Sequence, residues 1–101
     1  MDIGKTIKDL RLKKGFNQGE FALKCGLSQP YLSLIEKGRK EPTLGLLKEI
    51  ALNLSIPTPV LVFLSLDKND VDESKKDAFA FLENTMKDLI ANVFLTDPLR
   101  N

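Results

Sequence analysis

Apolar positions along the first 55 residues recur in short helical bursts, each closed by a glycine or followed by a polar break. Ile3, Ile7 and Leu10, flanked by Lys5, Lys8 and Arg11, predict an amphipathic helix from about Asp2 to Lys14, and Gly15 is placed to end it in the left-handed conformation. Asn17 caps a second helix, with Glu20 three residues on as in a capping box. That helix turns Phe21, Ala22 and Cys25 inward and stops at Gly26. Ser28 caps a third helix, and Pro30 sits in its first turn, where a missing N–H does no harm. Leu32 and Ile35 form its core face, and Gly38 ends it. After a basic loop at 39–42, Thr43 caps a fourth helix carrying Leu44, Leu47, Ile50, Ala51 and Leu54 at helical spacing. Thr58 as N-cap and Pro59 at the first helical position start a fifth. The run Val60–Leu64 also suits a strand through its β-branched residues, and the helical context decides for a helix. Residues 67–74 are polar and read as a linker. A last helix is expected from about Glu73 to Leu95, where Phe79, Leu82, Met86, Leu89 and Val93 alternate three- and four-residue steps as an a/d seam, widened by Ile90 and Phe94.

The chain has 101 residues, room for one domain with an appendage, and its 43% hydrophobic content is enough for a real core. It has one cysteine and no histidine. An internal disulfide, a Cys/His zinc site and a Ser–His or Cys–His nucleophilic pair therefore have no ligands or partners to build from. No catalytic residue, no metal and no cofactor is expected. Asp70, Asp72 and Glu73 lack the glycine and distal glutamate of a calcium loop and read as a solvated linker. The longest apolar run, Val60 to Leu66 with Ser65 inside it, is too short to span a bilayer. Nothing resembles a signal peptide, so a cytoplasmic protein without a membrane partner is expected.

Charge is divided unevenly. Residues 1–42 hold nine Lys/Arg against five Asp/Glu, a balance of +4, while residues 43–101 hold six against nine, a balance of −3. A basic front suits a polyanionic partner; ordinary surface scatter gives the same asymmetry often enough that charge alone does not decide.

The segment Gln18–Lys37 narrows the choice. Two short helices joined by a tight turn must cross closely. Ala22 supplies the small residue that the second helix presses against, and Gly26, four positions later, tolerates the positive φ of the turn. Phe21, Cys25, Leu27, Leu32 and Ile35 fill the wedge between the helices, and no charged residue interrupts them.

The run Asn17 to Arg39 resembles the Cro/repressor (XRE-type) helix-turn-helix family, and Glu41-Pro42-Thr43-Leu44 and Lys48-Glu49-Ile50-Ala51 match its usual fourth helix. The resemblance covers roughly residues 3–64. It implies an all-α fold: a lambda-repressor-like five-helix DNA-binding domain at 1–66, with an acidic linker and a C-terminal oligomerisation or partner helix at 67–101 outside it. It further implies a homodimer that places its third helix, about 28–37, in the major groove of double-stranded DNA.

The same resemblance assigns roles. Gln18 contacts a phosphate and buttresses the third helix; Asn17 caps and touches phosphate. Ser28, Gln29, Pro30, Ser33, Leu34 and Lys37 occupy the outer side of the third helix. Gln29 has the amide for a bidentate pair with adenine. Pro30 and Leu34 depart from the polar residues often found there and suit thymine methyls, with packing on the fourth helix or a partner as the other role for Leu34. Tyr31 is either pure core or core with its hydroxyl free for a phosphate. Arg39 and Lys40, with Lys37 and Thr43, either grip backbone phosphates or form a solvated basic loop. Arg11 and Glu36 match a structural ion pair, with a secondary phosphate contact open to Arg11. Cys25 reads as buried packing. The function expected is a sequence-specific transcriptional regulator, a repressor, rather than an enzyme. The alternative is an antitoxin-like or antirepressor-binding module that uses the C-terminal helix to hold a protein partner.

Overall fold

Four polar side chains start four helices. Asp2, Asn17, Ser28 and Thr43 each accept a hydrogen bond from the backbone N–H three residues on, at 3.0, 2.8, 3.2 and 3.1 Å. Each bond satisfies an N–H that the helix itself leaves without a partner. The helices they open in the computed structural model, which describes residues 1–95, are α1 (Ile3–Lys13), α2 (Gln18–Lys24), α3 (Gln29–Glu36) and α4 (Leu44–Asn53).

These four helices also stop alike. The residue after each C-cap takes a left-handed φ: +85° at Gly15, +72° at Gly26, +75° at Gly38 and 61° at Ser55. The N–H one residue further then returns to the last turn, as in Leu27 N–H to the Ala22 carbonyl (2.8 Å) and Ile56 N–H to the Ala51 carbonyl (3.1 Å). Three of these stops are glycines and were expected. Ser55 does the same work without glycine's freedom.

Helix α5 (Thr58–Ser65) confirms a helix over the Val60–Leu64 run, with one correction. Pro57 is its N-cap, Thr58 is already helical and makes no capping bond. Two short 3-10 turns, Lys68–Asp70 and Glu73–Lys75, occupy the linker, and α6 runs Lys76–Phe94. The last helix thus begins later than Glu73, because Lys75 (φ −116°, ψ 5°) leaves helical geometry between the turn and α6. No strand occurs among the described residues. The architecture is an all-α five-helix bundle followed by one extra helix.

The core is Ile7, Leu10, Phe21, Ala22, Cys25, Leu32, Ile35, Ile50, Ala51, Leu54, Ile56 and Leu61, all buried. Helix α1 packs on α3 and α5, α2 on α3, and α4 on α5. One contact sets the α1–α3 distance: a Cβ placed on Gly4 would stand 2.1 Å from the Ile35 carbonyl oxygen. Only a glycine lets the two backbones come that near.

Helix α6 contributes less to this core than its seam suggests. Ile90 is 3% exposed, and Phe94 and Leu95 pack against the cluster, with Lys14 Nζ donating to the Phe94 carbonyl. Leu82, Leu89 and Val93 are half exposed or more, and Phe81 is 77% exposed. The helix rests on its C-terminal end and leaves most of the predicted seam uncovered. No single helix among the described residues is long and apolar enough to cross a membrane.

Candidate nucleic-acid interface

Helices α2 and α3 cross at a turn, 25–28, built from Gly26 at φ +72°. Ala22 is buried at the crossing, as its small size required, and Phe21, Leu32 and Ile35 are fully buried around it. Burying that face leaves the opposite face of α3 outside. Gln29, Pro30, Leu34 and Lys37 are exposed and Ser33 is half-buried, so all five share the accessible side of one short helix. Leu34 is 41% exposed, which leaves it available to a groove rather than buried under α4.

Three capped helix starts belong to the expected set. Asn17 Oδ1, Ser28 Oγ and Thr43 Oγ1 each spend an acceptor on the backbone. What remains outward is donor chemistry: the Asn17 amide N–H and the two hydroxyl protons. Donors at helix N-termini suit phosphate oxygens, because the unpaired N–H groups and the helix dipole favour negative charge there. Arg39 and Lys40 are exposed just beyond α3. Lys40 Nζ lies 6.0 Å from the centroid of the Tyr31 ring, and Tyr31 packs against the core with a hydroxyl that bonds to none of the described residues.

Beneath α3 is a buried ion pair. Arg11 Nε donates to Glu36 Oε2 at 2.7 Å and its Nη2 to Oε1 at 3.0 Å, a two-pronged contact in which both side chains are almost wholly enclosed. Arg11 Nη1 donates to the Phe16 carbonyl at 2.9 Å. Each guanidinium nitrogen thus has a partner inside the protein, which fits the structural role expected of Arg11. Gln18 Nε2 donates to Glu36 Oε1 at 3.1 Å, and Gln29 Nε2 donates to Gln18 Oε1 at 3.3 Å.

Reading the sequence missed Lys8. It lines a shallow notch with Arg11, Gln18, Ser33, Glu36 and Lys37, adding an ammonium beside α3. Its position one turn before Arg11 was the available signal. Cys25 is buried, with its thiol pushed up to about 11 by burial first and by the charge of Glu49 second.

A small residue at the crossing, a left-handed turn, a second helix with a polar outer face and donors at the helix starts define a helix-turn-helix unit. Comparison with known proteins agrees: the helix-turn-helix family model matches residues 7–61. The chain belongs to the XRE-type helix-turn-helix family, whose general function is DNA binding in transcriptional regulation. It is 40% identical over 60 residues to the HTH-type transcriptional regulator y4dJ of Sinorhizobium fredii, covering 59% of this chain and 78% of that one. It is 30% identical over 93 residues to the HTH-type transcriptional regulator SinR of Bacillus licheniformis, covering 89% of this chain and 78% of that one. It is 33% identical over 94 residues to the immunity repressor protein of Bacillus phage phi105, covering 88% of this chain and 65% of that one. No solved structure matches the chain significantly.

Proposed function

We propose that the protein is a sequence-specific repressor of transcription that binds double-stranded DNA as a homodimer, with α3 in the major groove. The observation that carries this reading is the exposed face of α3, Gln29, Pro30, Ser33, Leu34 and Lys37, which starts at the Ser28 cap and is followed along the chain by exposed Arg39 and Lys40. In this reading Gln18, the donors of Asn17, Ser28 and Thr43, and Arg39 and Lys40 bind phosphates and fix register; Gln29 pairs with adenine, and Pro30 and Leu34 meet thymine methyls. Tyr31 serves as core with its hydroxyl turned to a phosphate. The name of the phage relative, an immunity repressor, favours repression over activation. Residues 1–66 act as the DNA-binding domain and 67–101 as a linker with an oligomerisation or partner helix.

Selection of bound duplexes from a random pool tests the reading. The expected result is a two-fold symmetric consensus. Gln29→Ala should relax one position in each half-site, at a cost of about 1–3 kcal/mol there. An unchanged consensus at equal stringency would reject the docking of α3. Replacing Arg39 and Lys40 with alanine should weaken binding to all duplexes alike and lower the salt slope by about 0.9 per lost phosphate contact. An unaltered slope removes both from the phosphate set.

A second reading is favoured by the uncovered face of α6. Phe81, Leu82, Leu89 and Val93 give an apolar surface for a protein partner, as in an antitoxin-like or antirepressor-binding module. The two readings are compatible, and the mass of the isolated chain in solution separates self-association from capture of another protein.

A further inference from the structure

The outer face of α3 divides into two rows of different chemistry. Residues four apart on a helix stand one above the other. Gln29, Ser33 and Lys37 make one such row, and Pro30 and Leu34 make the next. The first row carries an amide, a hydroxyl and an ammonium. The second carries no polar side-chain atom, and Pro30 lacks even a backbone N–H. Nor does the second row serve the core. Leu32 and Ile35 are fully buried on the inner side of the helix, whereas Leu34 is 41% exposed and Pro30 is exposed beside it.

What an apolar row can read in a major groove follows from what base pairs show there. Their edges offer hydrogen-bond donors, hydrogen-bond acceptors and one apolar group, the C5-methyl of thymine. A row without donor or acceptor can pack on that methyl. It cannot test the thymine O4 next to it, because that takes a donor. Cytosine methylated at C5 places the same methyl at the same ring position, beside an N4 donor instead of the O4 acceptor. Pro30 and Leu34 hold nothing that tells these two neighbours apart.

We propose that the Pro30–Leu34 row is a reader of C5-methyl groups, taking 5-methylcytosine as it takes thymine, so that cytosine methylation within a half-site strengthens binding. The inference rests on α3 being the groove helix. The methyl leaves water as it packs, which is worth about 0.8 kcal/mol, or about fourfold in affinity for each half-site.

The test uses the full chain and the duplex selected by the wild-type protein. Selection with Leu34→Ser, a change on an exposed surface, first finds the pair that the row faces; it should be an A·T pair, and a G·C pair there overturns the proposal. Four duplexes then differ at that position: thymine and uracil opposite adenine, 5-methylcytosine and cytosine opposite guanine. Thymine should bind more tightly than uracil by about fourfold for each half-site, and 5-methylcytosine should exceed cytosine by the same factor. Leu34→Ser should abolish both gains, and Gln29→Ala should keep both. If thymine exceeds uracil while methylation of cytosine adds nothing, the row reads the base pair and the proposal is overturned. Gains that survive in Leu34→Ser arise from the shape of methylated DNA and also overturn it. If Gln29→Ala relaxes a position and Leu34→Ser none, the row touches no base, so the proposal falls and the docking stands. If neither variant alters the consensus, the docking falls and the methyl reader with it.

Discussion

Gly4 and Gly45 are both helical glycines, yet they should respond oppositely to one methyl group. At Gly4 the new Cβ would lie 2.1 Å from one backbone carbonyl oxygen and 3.2 Å from the next, and backbone cannot rotate aside. Gly4→Ala should destabilise by about 2 kcal/mol or more, the scale of overpacking a tight contact. At Gly45 the Cβ meets open space, so Gly45→Ala should stabilise by up to about 1 kcal/mol through helix propensity. Thermal midpoints of the two variants, moving in opposite directions, check the pair. Cys25 makes a pH prediction. Its thiol is raised from 9.0 to about 11 in the folded protein, so below pH 9 it stays protonated in both folded and unfolded states. Between about pH 9 and 11 the unfolded chain loses the proton first, and stability falls as pH rises. Cys25→Ala should therefore show a shallower alkaline loss of thermal midpoint than wild type. Removing one side of the Arg11–Glu36 pair should cost about 3–5 kcal/mol, since it strands a buried charge.

Among the elements, what the sequence made legible depended on whether the signal was local. Caps Asn17, Ser28 and Thr43 and stops Gly15, Gly26 and Gly38 act within one turn of chain, and all six cap or stop their helices, though among the described residues Glu20 makes no return bond to complete the capping box with Asn17. Ser55 escaped because a serine carries no left-handed signature; Ile56 pulls it into that conformation by burying against the core. Ser55→Gly should raise stability by about 1 kcal/mol, measured by denaturant midpoint, because glycine takes the same φ without strain. The Arg11–Glu36 pair and the buttressing of the third helix by Gln18 came from family likeness, whereas the Gly4 contact is set by tertiary geometry with no periodic trace. The α6 seam meets a related limit. Spacing marks which residues share a face, but not whether anything lies opposite it, and here Ile90, Phe94 and Leu95 meet the bundle while Leu82, Leu89 and Val93 stay exposed.

For the molecule as a whole, all twelve core residues fall between Ile7 and Leu61. Truncation after Leu66 should leave a helical, soluble remnant that still recognises DNA, with weakened dimerisation and a steeper dependence of binding on protein concentration. Sedimentation of both chains checks this; a monomeric full chain with an unfolded remnant would instead make α6 part of its own core. The position of that core also bears on synthesis. The core belongs to a small helical bundle whose widest closure, α1 on α5, is available once Ser65 is made, and bundles of this class fold in microseconds to milliseconds. The 35 residues after Leu66 take about 2–7 s to translate at 5–20 residues per second. The DNA-reading half is therefore synthesised in full before its tail is made. A nascent chain holds every residue of its core before it owns the helix proposed to pair it with a second.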